Sequence, residues 1–510
     1  MDAYKRVFIN TVAQYGKSVI NVCLSLYSAR IILDALGKSD YGLYVLVGGV
    51  VAMLGFVTNA LVITTQRFIS FYHGKGDWNI VSKTFSNSLF LHVVIAIVLS
   101  MLLALFSHLV VYSWLEVDAG RLASAMMVYW ATIVILFITI LLSPFKAVLI
   151  ARENIVYISI IEVLDGVLKL AVAFLLLRVD IDKLQLYAWL MAAIQLFNLL
   201  AFSIYGCCKF AECSWLIRPR DISSDWLRRI MGFAGWTTYS MGAVVARNQG
   251  IAIMLNHFLK QTVINAAYGI AFQVYGALSF ISSSILNAMN PRIMKAEGMG
   301  DRKRMLHLAA LESKYSSLML LLILVPLIFE MPSILNWWLK EVPENTVMFS
   351  RVVLIAFFFD QITYGLNTAN QATGNVKPYV LLIYTPKLLI LIPVYILLAL
   401  GRLPGDVMLC YIIIEILCSF LRLPYMKYKV GLNVREFLVT AVVPLLPVLV
   451  SQFIVCYLLT LQPFNHSFLM TIILPVGVGA LLAWLFALNH QERALLLSFI
   501  KHKGAREYKN

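Results

Sequence analysis

Charge is scarce in this sequence. Asp, Glu, Lys and Arg make up 13% of its 510 residues, about half the share of a soluble globular protein, and no stretch is polar and long enough to build a sizeable soluble domain. Acid is scarcer than base, 26 residues against 41, for a formal net charge of +15. There are eight His, and His92, His108 and His257 are scattered, so no metal or His-centred catalytic cluster is legible. The seven Cys lie in or at the ends of apolar runs except Cys207, Cys208 and Cys213, which have no His near them. Neither a disulfide framework nor a metal site follows. A P-loop Lys-Ser/Thr is missing, so any energy source is a gradient or the substrate's own. The long extramembrane loop or convergent His/Asp/Glu cluster expected of a membrane polymerase or acyltransferase is missing too.

What is present is hydrophobicity. The chain is 61% hydrophobic with a mean hydropathy of +0.83, and apolar runs of about 20 residues recur along its whole length, each long enough to cross a bilayer as a helix. The pattern predicts fourteen spans: 7–33, 41–65, 84–112, 122–149, 155–177, 184–208, 229–256, 262–290, 307–331, 346–371, 379–400, 405–426, 437–460 and 466–489. The basic residues lie in the short connections, which argues against a nucleic-acid partner. Alternate connections, with the helix ends that flank them, hold 28 of the 41 Lys and Arg, and the connections of the other side hold seven. Basic loops stay cytoplasmic, so both termini are expected there, the N-terminal run being an uncleaved first helix.

A second regularity is internal. Gly74-Lys75-Gly76-Asp77 after span 2 is matched 224 residues later by Gly298-Met299-Gly300-Asp301 after span 8. Arg67 is matched by Arg292, Tyr41-Gly42 by Tyr268-Gly269, Asn154 by Asn375, and Leu168-Lys169-Leu170 by Pro386-Lys387-Leu388, with slowly drifting offsets. Such order favours a duplicated six-helix unit. Six spans is an even number, so the copies insert the same way round, as a parallel repeat about the membrane normal. The expected organisation is an N-terminal six-helix lobe over 1–215, a second over 216–430, two added helices over 431–490 and a basic cytoplasmic tail over 491–510.

Six plus six plus two helices, Gly16-Lys17 in span 1, the stretch Leu36-Gly37-Lys38-Ser39-Asp40-Tyr41-Gly42-Leu43-Tyr44, and Gln66-Arg67-Phe68 together resemble the multidrug/oligosaccharidyl-lipid/polysaccharide exporter superfamily. Its polysaccharide-transporter branch, with the Wzx-type O-antigen and capsule flippases, is the most similar. The resemblance implies an all-α, polytopic membrane fold like that of MATE and MurJ transporters, two lobes around a cavity that opens alternately to either side, and a bacterial inner membrane. It implies as substrate a polyprenyl-diphosphate-linked oligosaccharide, carried to the periplasmic face, with membrane lipids, a polysaccharide polymerase and a chain-length regulator as partners. No bound cofactor is expected; the coupling, if any, is to an H+ or Na+ gradient. A multidrug exporter and a lipid II flippase of the same superfamily are the alternatives, and an inert scaffold for glycan assembly is the alternative from another class.

A diphosphate-bearing lipid calls for cations inside the membrane. Lys17, roughly 15 Å into span 1, and Arg247 in span 7 are the leading candidates, with Lys169 and Lys387 behind them. A charge facing lipid costs at least about 2.5–3.5 kcal/mol, so each lines a cavity, is paired, or snorkels to an interface. Glu162, Asp165 and Lys169 fall near one face of span 5, either as an ion-coupling set or as a self-neutralised one with an Asp165–Lys169 pair. Asp360 and Glu415 read as isolated acids, and so as candidate proton carriers. Asn248, Gln249, Tyr268, Gln273, Tyr364 and Asn367 could meet sugar hydroxyls or serve as interhelical glue.

Overall fold

The computed structural model describes residues 3–52, 54–114, 119–217, 219–259, 262–339, 341–461, 468–489 and 492–493, and the regular structure in them is helical. All but residues 492 and 493 of the predicted basic tail, and Lys260 and Lys340 of the predicted outer loops, lie outside the described residues. The chain divides into two compact bodies.

The N-terminal body holds Arg6–Gly242 and Met294–Asp301. Its helices are α1 (Ala3–Ala52), α2 (Gly55–Lys75), α3 (Trp78–Leu105), α4 (Leu122–Ala151), α5 (Ile155–Leu176), α6 (Lys183–Lys209) and the first half of α7 (Ser224–Leu259). α4 is the central post, packed against α2, α3 and α6, with Ala125, Val128, Tyr129, Phe145 and Val148 fully buried. Gly37 (φ 75°, ψ 170°) breaks α1 in the stretch 36–44.

The predicted second span, 41–65, is corrected. Its helix is interrupted before Gly55 and then runs on to Lys75. Hydropathy ends at Gln66-Arg67, yet both side chains are buried, and the Arg67 guanidinium lies 4.7 Å from the Phe68 and Phe71 ring centres. Apolar partners on other elements, Phe233 among them, make burial of a polar turn tolerable.

The two Gly-x-Gly-Asp motifs share one geometry. In each the second glycine is left-handed, Gly76 at φ 75° and Gly300 at φ 80°. Asp77 N–H reaches the Tyr72 carbonyl (3.2 Å) as Asp301 N–H reaches that of Ala296 (3.0 Å), which is a Schellman helix end. The first glycine does something else. A Cβ on Gly74 would collide with the Lys295 carbonyl, and one on Gly298 with the Phe71 carbonyl. Backbone therefore packs on backbone where α2 meets the C-terminal end of α8 (Thr262–Gly298).

The C-terminal body holds Ala243–Ile293 and 302 onward. To the remainder of α7 and α8 it adds α9 (Arg302–Phe329), α10 (Thr346–Ile362), α11 (Tyr364–Thr373), α12 (Lys377–Leu389), α13 (Leu391–Ala399), α14 (Pro404–Val430), α15 (Leu445–Leu461) and α16 (Phe468–Leu482). α9 is the central post here, packed against α10, α11, α15 and α16. The predicted tenth span is a broken one, bent by 47° at Thr363 between α10 and α11. The eleventh is two helices meeting at Ile390, between Pro386 and Pro393.

Among the described residues ten helices are long and apolar enough to cross a membrane, or eleven with the bent pair counted as one span. The predicted spans outside that set are the broken second, the fifth with its three charges, and the polar seventh. Outward faces are apolar: α3 exposes Val94, Ile97, Val98, Met101, Leu102 and Leu105, and α15 exposes Leu446, Val450, Phe453, Ile454 and Tyr457. Water would oppose such stripes and hydrocarbon accepts them. The chain is a multi-pass, all-α membrane protein.

Candidate functional site

Charge inside the spans is gathered into clusters, one set in each body. In the N-terminal body Glu162 of α5 sits between two lysines, with Lys17 of α1 at 2.6 Å and Lys146 of α4 at 2.7 Å. One turn along α5, Asp165 pairs with Lys169 at 2.7 Å and accepts from Asn198 Nδ2 of α6 at 2.7 Å. Lys169 keeps 47% of its side chain exposed. It opens onto a cavity of about 360 Å³ lined by Asn21, Ser25 and Ser28 of α1, Asp165 and Gly166 of α5, and Tyr44 and Tyr187. Charged and hydroxyl groups on that wall make it a hydrated one, since hydrocarbon against them would cost several kcal/mol.

The C-terminal body carries a larger network. Arg247 of α7 pairs with Glu415 of α14, stacks on the Tyr411 ring and donates through Nε to Asn248 Oδ1 (3.0 Å). Lys387 of α12 bridges Glu415 (2.7 Å) and Asp360 of α10 (3.2 Å). Arg422 of α14, fully buried, donates to the Asp360 carboxylate (2.5 Å), the Asp360 carbonyl (2.9 Å) and Thr363 Oγ1 (3.2 Å), and so stitches the bend between α10 and α11.

Asp360 and Glu415 are therefore not isolated acids. Each takes two cations from other helices, partners that one helix's hydropathy cannot display. Of the other predicted residues, Tyr364 lies against Arg422 at 5.8 Å, and Tyr268 is buried with its hydroxyl unpartnered among the described residues. Asn367 is buried in α11, while Gln249 and Gln273 are exposed and stand apart from the network.

Three residues escaped the sequence reading. Lys146 and Arg422 lie near the ends of their apolar runs and counted as cytoplasmic flanks; Arg422 stands two turns after Glu415, on the same face of α14, which was the available signal. Glu312 of α9 is the third. It is fully buried, and its partners are neutral: Thr368 Oγ1 at 3.2 Å and, with its amide nitrogen turned inward, Asn290 at 2.8 Å.

A further network ties the helix ends of the N-terminal body. Arg152 forks onto Glu212 (both oxygens, 2.8 Å), lies over Trp78 and donates to His73 Nε2 (3.0 Å). Burial, then the charges of Lys295 and Arg152, push His73 down to about 4, so at neutral pH it is the acceptor that this bond requires. Glu153, left-handed at φ 59°, holds Lys295 at 3.0 Å. Among the described residues no group of His, Cys, Asp and Glu has the arrangement of a metal site.

No family model matches the sequence, and no curated protein is similar to it in sequence. Solved structures are similar in fold. A MOP-superfamily transporter from Pyrococcus furiosus, described as having a binding pocket of reverse polarity that suggests a different function, superposes with a TM-score of 0.72 at 13% identity over 84% of this chain and 96% of that one. A multidrug-resistance MATE transporter of the MOP superfamily in an outward-facing conformation gives 0.71 at 12% identity over 84% and 96%. A MATE protein in complex with MaL6 gives 0.72 at 12% over 86% and 98%. This chain has the fold of the MATE transporters of the MOP superfamily.

Proposed function

We propose that this protein is a flippase, which carries a polyprenyl-diphosphate-linked oligosaccharide from the cytoplasmic to the periplasmic face of a bacterial inner membrane by alternating access, for cell-surface polysaccharide synthesis. Both termini are then cytoplasmic, in keeping with the bias of Lys and Arg between the two sets of loops. The observation that carries the reading is the sign of the intramembrane charge. Among the described residues Arg247, Lys387 and Arg422 face only the acids Asp360 and Glu415, and Lys17 and Lys146 only Glu162. Each cluster thus keeps one cation in excess. Lys169 adds an exposed ammonium beside hydroxyl and amide groups, a wall suited to a phosphate and to sugar hydroxyls.

In such a carrier Lys17 and Arg247 attract the diphosphate as substrate enters. Their carboxylate partners hold them in place and keep the empty protein from burying naked charge. The test is translocation of a fluorescent polyprenyl-diphosphate oligosaccharide in proteoliposomes by wild type, Lys17→Ala and Arg247→Ala. Both variants should slow transport by an order of magnitude or more, with thermal unfolding showing an intact fold. Unchanged rates in both would remove these cations from the mechanism.

Export of organic cations is the second reading, favoured by Glu312, an acid without a cation, and by structural neighbours described as multidrug transporters.

A further inference from the structure

Among the described residues the other buried acids keep cations beside them. Asp40 holds Arg121, Glu212 holds Arg152 and Glu415 holds Arg247 and Lys387, and the half-buried Glu162, Asp165, Asp360, Glu153 and Glu492 are paired too. Glu312 departs from the rule. It is 0% exposed in α9, and among the described residues Oε1 receives only the Thr368 hydroxyl and the Asn290 amide while Oε2 has no hydrogen-bond partner. An ionised carboxylate so placed costs several kcal/mol. A proton on Oε2 removes that cost.

The surroundings are those of a mechanical joint. Thr368 belongs to α11, the half-helix beyond the bend at Thr363, and Asn290 to α8. Gly365 N–H donates to Ser313 Oγ of α9 (3.0 Å), and a Cβ on Gly365 would strike the Ala309 carbonyl, so α11 lies directly on α9. Of the charged and titratable groups on the surrounding helices, α8 carries Arg292, Lys295, which Glu153 holds, and Glu297. α11 brings Tyr364, α10 brings Asp360 with its Arg422 and Lys387, and on α9 itself Lys314 is held by Glu492. Lys303 and His307, with Glu436, line a separate groove at the start of α9, Arg351 of α10 binds carbonyls at its far end, and α15 and α16 carry no charged residue.

We infer that Glu312 is a proton-coupling site, loaded and unloaded at Oε2, whose charge sets the grip of α9 on the half-helix α11 and on α8. The inference rests on the transporter reading above. Protonated at Oε2, Glu312 keeps Oε1 as the acceptor for Thr368 and Asn290 and sits closed beneath α11. Ionised, it carries a bare Oε2 that only water can satisfy, and the joint at Thr363 opens to admit it. The step moves one proton and no electrons.

Two measurements on full-length protein in proteoliposomes test it, with Glu312→Gln as the isosteric variant and thermal unfolding as the check of its fold. The first needs no substrate: infrared difference spectra across the acid-to-alkaline range should show a protonated-carboxyl band that titrates in wild type and is missing from Glu312→Gln. The same band in both proteins, or none in wild type, overturns the site even where transport succeeds. In the second, accumulation of the lipid-linked glycan driven by a pH gradient should fall at least tenfold in Glu312→Gln, while gradient-free exchange continues. Uptake that follows a Na+ gradient, or a pH-driven uptake indifferent to the substitution, overturns it as well. Should wild type move no glycan while the infrared band behaves as expected, the flippase reading fails and the proton site stands.

Discussion

Arg422 concentrates the energetics of the C-terminal network in one side chain. It is fully buried and bonds to the carboxylate and carbonyl of Asp360 and to Thr363. Arg422→Met leaves Asp360 with Lys387 but strips the Asp360 carbonyl and Thr363 of a buried donor. It should lower stability by about 1–3 kcal/mol, measured by unfolding in detergent, and adding Asp360→Asn should return part of it. Additive losses in the double variant would mean that the two groups do not act as a pair. Lys17, Arg247, Lys387, Asp360 and Glu415 were visible in the sequence because charge interrupts apolar runs. Their pairing was not, since the distance between α7 and α14 is written in the fold. Glu312 was hidden for another reason: it stands between polar neighbours at the start of an apolar run, where a carboxylate reads as an interface residue.

At the scale of elements, hydropathy located the helices and misjudged their ends. α2, α3 and α8 run past their apolar stretches, to Lys75, back to Trp78 and on to Gly298, because amphipathic turns find protein partners that a hydropathy window does not see. The bend at Thr363 was not read from the sequence, where Gly365, two residues on, is its one local mark and a lone glycine in an apolar run does not specify a bend. The paired Gly-x-Gly-Asp motifs were legible as a repeat, and in the structure only their second glycines make the turn. Gly298→Ala places a methyl on the Phe71 carbonyl and should cost about 1–3 kcal/mol, comparable to overpacking a core. Differential scanning of the variant against wild type measures this, and an unchanged midpoint would show that α2 and α8 part without penalty.

For the whole molecule the sequence was most informative. An all-α polytopic fold followed from composition and recurring apolar runs, and the structural similarity to MATE transporters of the MOP superfamily agrees with it. Substrate chemistry is a matter of a few side chains on that shared fold, and fold alone leaves it open. The excess of cations in both intramembrane clusters is what inclines the account toward an anionic cargo. One comparison bears on it most directly: wild-type proteoliposomes offered a polyprenyl-diphosphate oligosaccharide and, separately, a lipophilic organic cation. The account predicts translocation of the diphosphate-linked glycan and indifference to the cation; movement of the organic cation with no movement of the glycan would contradict it.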